Sequence, residues 1–195
     1  MLAGLAARSN AQIVNYTVSF DTTPLLGSTY TGPYSLDVQF FDGGGAGLEP
    51  NNTATFSNFT GQSNTISTFS VSDGFPPGTG ETIVDFIPGA TLSFNISLTA
   101  NQDIGAPGPD VLSLLLLANG DTISTTDPSG GNAFISFTES QDPLAPLAIS
   151  SATFDAASGP AFDPVVGSGT APEPAVLPLL LLGITALPLA RRRRP

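Results

Sequence analysis

Leu92-Ser93-Phe94-Asn95-Ile96-Ser97-Leu98-Thr99 decides the fold. Apolar and polar residues alternate along it without a break, the period of a strand with one face in a core and the other in water. The same period runs through Val14-Tyr16-Val18-Phe20, interleaved with Asn15, Thr17 and Ser19. It returns in Leu36-Val38-Phe40, interleaved with Ser35, Asp37 and Gln39, an alternation that puts Asp37 on the solvent side. Ala54, Phe56 and Phe59 mark a further strand, Ile66 to Val71 another with an irregularity at Thr68-Phe69, and Ile83 to Ile87 a short one. Val111 to Leu117 is almost wholly apolar, which suits a central strand covered on both faces. Asn119-Gly120 then favours positive φ at both positions and predicts a type I′ hairpin into Thr122-Ile123-Ser124. Ala133 to Phe137 and Ile149 to Phe154 complete the set, and no helical period of useful length interrupts it. Short strands separated by Gly, Pro, Asn and Asp predict an all-β chain: a single antiparallel β-sandwich, jelly-roll-like, over residues 12–155.

Composition narrows what such a sandwich can do. The 195 residues include no Cys, His, Trp or Lys. Disulfides, Cys or His metal sites, Ser-His or Cys-His catalysis and a Lys Schiff base are therefore excluded. The net charge is −11, and the only basic residues are Arg8 and Arg191 to Arg194. A body this uniformly negative is repelled by phosphate backbones, so no nucleic-acid partner is expected. Charged residues make only 11% of the chain, while Ser and Thr together number 41. With 13 Phe to bury, this composition describes an exported, β-rich protein rather than a disordered one.

The C-terminus has three blocks in sequence. Pro172-Glu173-Pro174 comes first, then the uncharged run Ala175 to Ala190, then Arg191-Arg192-Arg193-Arg194. As a helix the apolar run spans about 24 Å, short of a hydrocarbon core of about 30 Å, and snorkelling Arg side chains with local thinning close the difference. A single C-terminal transmembrane helix is expected over 175–190, with the Arg run as a membrane-stop tail held on the cytoplasmic side. The Ala-, Ser-, Gly- and Pro-rich stretch 156–171 is expected to be a linker that lets the body stand off the membrane.

This ordered triple resembles the PEP-CTERM sorting signal of Gram-negative bacterial surface proteins. The resemblance covers residues 172–195 and implies export, transient anchoring, recognition of the motif Pro172, Glu173 and Pro174 by the membrane protease exosortase, and delivery to the cell surface or the surrounding polymer matrix. The stretches NYTVSFDTTPLLG (residues 15–27), YSLDVQFFDGGG (34–45) and NNTATFSNFT (51–60) resemble a subgroup of the same family. They are strand and turn motifs, so they imply a shared fold and bring no catalytic residues with them.

At the other end, Met1 to Ala7 is apolar, and Ser9 and Ala11 occupy the −3 and −1 places of a signal-peptidase site, which puts cleavage between Ala11 and Gln12. No basic residue precedes Arg8. Residues 1–11 are therefore expected to be the remnant of a signal peptide whose true start lies upstream.

For chemistry, the sequence leaves carboxylates, hydroxyls and backbone. A glycosidase pair would have to join Asp37 or Asp42 with Asp85 or Glu139, and nothing in the sequence brings any two together; no enzyme and no catalytic residue is expected. Calcium is the one cofactor left open, at the Asp- and Gly-rich loops around Asp42, Asp103 and Asp110, although the same residues serve as ordinary turn formers. Tyr16, Tyr30 and Tyr34 are the surface aromatics available to stack on sugar rings, whereas the Phe residues fall mostly on inward positions. The function expected is that of an exported, non-enzymatic surface or matrix protein in extracellular polysaccharide, with a glycan- or calcium-binding module as the alternative.

Overall fold

A computed structural model describes residues 12–26, 30–43, 52–61, 64–73, 80–100, 108–139, 149–158 and 161–169. They form strands β1 (Gln12–Asp21), β2 (Tyr34–Phe41), β3 (Thr53–Thr60), β4 (Phe69–Ser72), β5 (Glu81–Phe86), β6 (Thr91–Ala100), β7 (Val111–Ala118), β8 (Asp121–Thr122), β9 (Ile135–Glu139), β10 (Ile149–Thr153) and β11 (Val165–Gly169). A single 3-10 turn, Thr23–Leu25, follows β1.

The strands make two antiparallel sheets. The first has the order β11-β1-β6-β3-β4; the second has β10-β9-β7-β2-β5, with β8 paired to β7. The pairing of the first six strands is nested: β3 with β4, β2 with β5 and β1 with β6. A ribbon of three paired strands thus folds over itself, leaving β2 and β5 in the opposite sheet from the other four. β7 then takes the free side of β2, β9 and β10 extend outward from it, and β11 returns to the edge of β1.

Both sheets send alternate residues into one core. Val18, Phe20, Phe56, Phe94 and Ile96 come from the first sheet, and Leu36, Val38, Leu112, Leu114 and Phe137 from the second. Each such burial is worth about 1.5–3 kcal/mol, so this core holds the sandwich without a covalent cross-link. Aromatic contacts cross between the sheets: the Phe20 ring meets Phe86 edge-on at 6.4 Å, and the Tyr16 ring lies 4.7 Å from Phe137. β7 lies between β2 and β9, and Leu115 and Leu117 on its outer side are also buried, as its apolar sequence predicts. Asn119 and Gly120 take φ of 55° and 85°, the positive pair expected of the turn between β7 and β8.

Three expectations change. Asp37 is 4% exposed rather than solvent-facing. It sits in the middle of a central strand, flanked in register by Ile83 and Leu115, and a polar phase along a strand is not enough to hold it in water there. The linker expected at 156–171 is largely part of the sandwich. Phe162 is fully buried in the core, its carbonyl accepts the Asp21 N–H at 2.8 Å, and β11 pairs with β1 from Asn15 to Ser19. Among the expected surface tyrosines, Tyr16 is buried at 5% exposure, and Tyr30 and Tyr34 pack partly against the core. The apolar run 175–190 lies outside the described residues; among those described, no helix is long and apolar enough to cross a membrane.

The register between β3 and β6 shifts between Ser57 and Thr60, where Asn58 takes φ 57° and Gly61 takes φ +83°. A Cβ on Gly61 would collide with the Thr91 carbonyl, whereas one on Gly130 (φ +77°) would meet nothing. Gly61→Ala is therefore expected to cost more than 2 kcal/mol, roughly, because backbone strain and collision add, and Gly130→Ala about 1 kcal/mol from strain alone. Urea unfolding midpoints of the two variants check this.

Candidate functional site

Antiparallel strands gather alternate chain ends at one end of a sandwich. The end that collects the close of β2, β4, β6 and β9 and the start of β3 and β7 also collects acids. Asp42 follows β2, Asp73 follows β4, Asp110 precedes β7, Glu139 closes β9, and Asn52 precedes β3.

Asn52 organises this cluster. Its backbone N–H is donated to both carboxylate oxygens of Asp73 at 3.0 Å, and its side-chain amide to Asp110 Oδ2 at 2.6 Å and Glu139 Oε2 at 3.4 Å. Asp110 Oδ1 accepts the Gly43 N–H at 2.9 Å, tying in the loop that carries Asp42. The Gly43 carbonyl in turn accepts the Gly108 N–H at 3.0 Å. Asn52, Asp73, Asp110 and Glu139 are all buried.

No basic residue occurs between Arg8 and Arg191, so neither Lys nor Arg from the body neutralises these acids. At Asp73 a proton does it instead. Burial, a hydrogen bond shared with Asp110 and the charges of Asp110 and Asp42 push the Asp73 carboxyl up to about 7, against the partial pull of the Asn52 N–H. Burial, helped by the charge of Glu139, also raises the Tyr16 phenol. The arrangement is a buried acid cluster beneath a loop end, with Asp73 hydrogen-bonded to Asp110. Among the described residues no group of three or more acids has the disposition of a metal site.

Of the residues expected to meet calcium, Asp42 and Asp110 are brought to this cluster; Asp103 lies outside the described residues. Of the residues considered for a glycosidase pair, Asp42 and Glu139 lie at this end. Asp37 and Asp85 lie on the outer face of the second sheet, where Asp85 accepts the Ser35 hydroxyl at 2.7 Å and Asp37 Oδ2 accepts from Gln39 at 2.8 Å. Burial raises the Asp37 carboxyl, the Gln39 bond lowers it and the Glu81 charge raises it again, for a net rise. Neither pair lines the cleft of about 270 Å³ formed by Thr153, Phe154, Asp155, Asp163, Pro164 and Val165. In that cleft Asp155 Oδ1 accepts the N–H groups of Phe162 and Asp163, a loop-bracing role.

Asp73 and Asn52 were not legible as site residues, because the cluster draws on positions 42, 52, 73, 110 and 139. The one signal they share is a polar residue at a strand boundary in a chain without bases. Gln12 is the first residue of β1. Ala11, Pro172 to Pro174 and Arg191 to Arg194 lie outside the described residues. Gly169 pairs with Asn15, and Gln12 with Ala100, so the chain leaves β11 at the same end of the sandwich as the acid cluster. Compared with protein-family models, with curated proteins and with solved structures, the chain matches none of them.

Proposed function

We propose that this chain is an exported, non-enzymatic surface protein, delivered by a PEP-CTERM-type signal at residues 172–195 and serving a structural role among extracellular polysaccharide. The observation that carries the reading is the confinement of every basic residue to Arg8 and Arg191–Arg194, with an uncharged run directly before the terminal four. The nested strand pairing supports a jelly-roll winding for the displayed body. Only Thr170 and Ala171 separate the end of β11 from the motif that exosortase would recognise. Intact-mass spectrometry of the native protein, from cells with and without exosortase, tests this. A C-terminus near Pro172–Pro174 that depends on the protease is the expected result. An Arg tail retained in both strains would make the segment a permanent anchor.

A second reading is favoured by the Gly43 N–H bond to Asp110, which ties the loop carrying Asp42 to the Asp73–Asp110 pair. A calcium ion would there take the place of the shared proton, with carboxylates and loop carbonyls as its hard oxygen ligands. Millimolar calcium then raises the melting temperature above pH 7, and Asp110→Asn abolishes the rise. An unchanged melting temperature removes this reading.

A further inference from the structure

The middle of the outer face of the first sheet is made of hydroxyls and amides, with Ile13 and Val165 exposed toward its two ends. The alternation that sends Val18, Phe94 and Phe56 inward sends Thr17, Asn95 and Ser57 outward. The registers align these side chains into rows across the strands: Gly169, Asn15, Ser97, Thr55 and Ser70 form one, and Gly167, Thr17, Asn95 and Ser57 the next. Strands lie about 4.8 Å apart, and successive outward residues follow about 6.7 Å along each strand. The hydroxyls of Thr55 and Ser70 meet at 2.8 Å, and Thr17 donates to Asn95 Oδ1 at 3.3 Å, which leaves the Asn95 amide N–H groups turned to solvent. A groove of about 210 Å³ crosses the middle of this face; Asn15, Thr17, Ser57, Asn95 and Ser97 line it together with Tyr16 and Ile96.

The face is also uncharged. Of the chain's 16 acidic residues, only Asp21 lies on the strands of this sheet, at the far end of β1. The outer face of the second sheet carries Asp37, Glu81 and Asp85. Acids have thus been kept off one broad face of a molecule with a net charge of −11. An anionic polymer would be repelled by the body and find no cation here. An apolar surface would strip water from hydroxyls and amides and return no hydrogen bonds. An uncharged polyhydroxyl chain fits both constraints, since its hydroxyls match the donors and acceptors row by row. Each sugar would gain little against water, so binding accrues only along an extended polymer that crosses several rows.

We propose that this face binds an extended, uncharged polysaccharide laid across β1, β6 and β3. The proposal rests on the reading that the body is displayed outside the cell, and it gives that reading its partner and contact surface. It is tested by affinity electrophoresis of the full chain in neutral detergent, through gels containing hydroxyethylcellulose, dextran, galactomannan or the anionic polymer alginate. Retardation by at least one neutral polymer and not by alginate is expected. The double variant Thr17→Val with Asn95→Ala should weaken it about tenfold or more. A control, Ser136→Ala with Thr138→Val on the other sheet, should bind as before, and all three proteins should unfold at the same urea midpoint. No retardation by any neutral polymer, or equal retardation by alginate, overturns the proposal. Equal binding by the double variant overturns the assignment to this face while leaving a matrix role standing. Self-association that the double variant abolishes would assign the face to a second copy of the chain. The sorting reading fails separately, on the mass of the mature C-terminus.

Discussion

Phe20→Ala is expected to cost about 3–5 kcal/mol, the range for removing a fully buried aromatic ring from a core that cannot collapse around the gap. Phe20 is 1% exposed. It projects from β1 in the first sheet onto Phe86 of β5 in the second and onto Phe134, whose ring lies at 4.8 Å. Its loss therefore removes two aromatic contacts that join the sheets. Domains of this size are stable by about 5–15 kcal/mol in all, and this chain has no disulfide to limit the unfolded state. The urea midpoint followed by far-ultraviolet circular dichroism should fall steeply. Phe41→Ala, which truncates a 41% exposed ring at the end of β2, should cost less than about 1 kcal/mol. Equal effects at the two positions would mean that the sheets do not depend on the shared core.

The second large effect is on pH dependence. The folded-state pKa of Asp73, about 7, is above the ordinary 3.8 of an exposed Asp. Between those values the folded chain holds a proton that the unfolded chain has released. The stability from this group is therefore complete below about pH 4 and is lost as pH rises to about 7, by up to about 4 kcal/mol. Asp73→Asn mimics the protonated form: its carbonyl keeps the Asn52 N–H and its amide can donate to Asp110. The stability difference between variant and wild type should accordingly move in the variant's favour from pH 4 to pH 8, with the change concentrated near pH 5 to 7. Taking the difference removes the carboxylates that work in the opposite sense, such as Asp21, held low by its bonds with Thr23. Parallel profiles would show that Asp73 ionises freely in the folded protein.

The fold was legible where a residue's neighbours along the chain set its environment. The β6 alternation, the apolar β7 and the Asn119-Gly120 turn are of that kind, since period and φ preference act locally. β11 was not legible, because Val-Val-Gly-Ser-Gly has little strand character of its own. Only Val166 packs against the core, and the partner that makes it a strand is the edge of β1, about 150 residues earlier. β4 begins at Phe69, where the expected irregularity lay, and β9 runs on to Glu139 because Asp110 accepts its N–H at 3.1 Å through the backbone. The acid cluster needed the topology to assemble it. Asp42 and Asp110 could be picked out as Asp beside Gly and Pro, but Asp73, Glu139 and Asn52 become partners only when five strand ends meet. The burial of Asp37 escaped for a related reason: alternation assigns a face, and only the neighbouring strands decide whether that face is wet.

β11 also sets how the molecule carries load. It runs antiparallel to β1 and ends at Gly169, so tension on the chain beyond that residue enters the body through the strand's acidic end. A pull along the strand axis slides β11 against β1, and all the hydrogen bonds of the ladder from Asn15–Gly169 to Ser19–Val165 resist at once. A pull across the sheet, at right angles to the strands, would open the same bonds one after another. The joint is strong along the strand axis and weak across it, and the chain continues toward residue 195 from its acidic end.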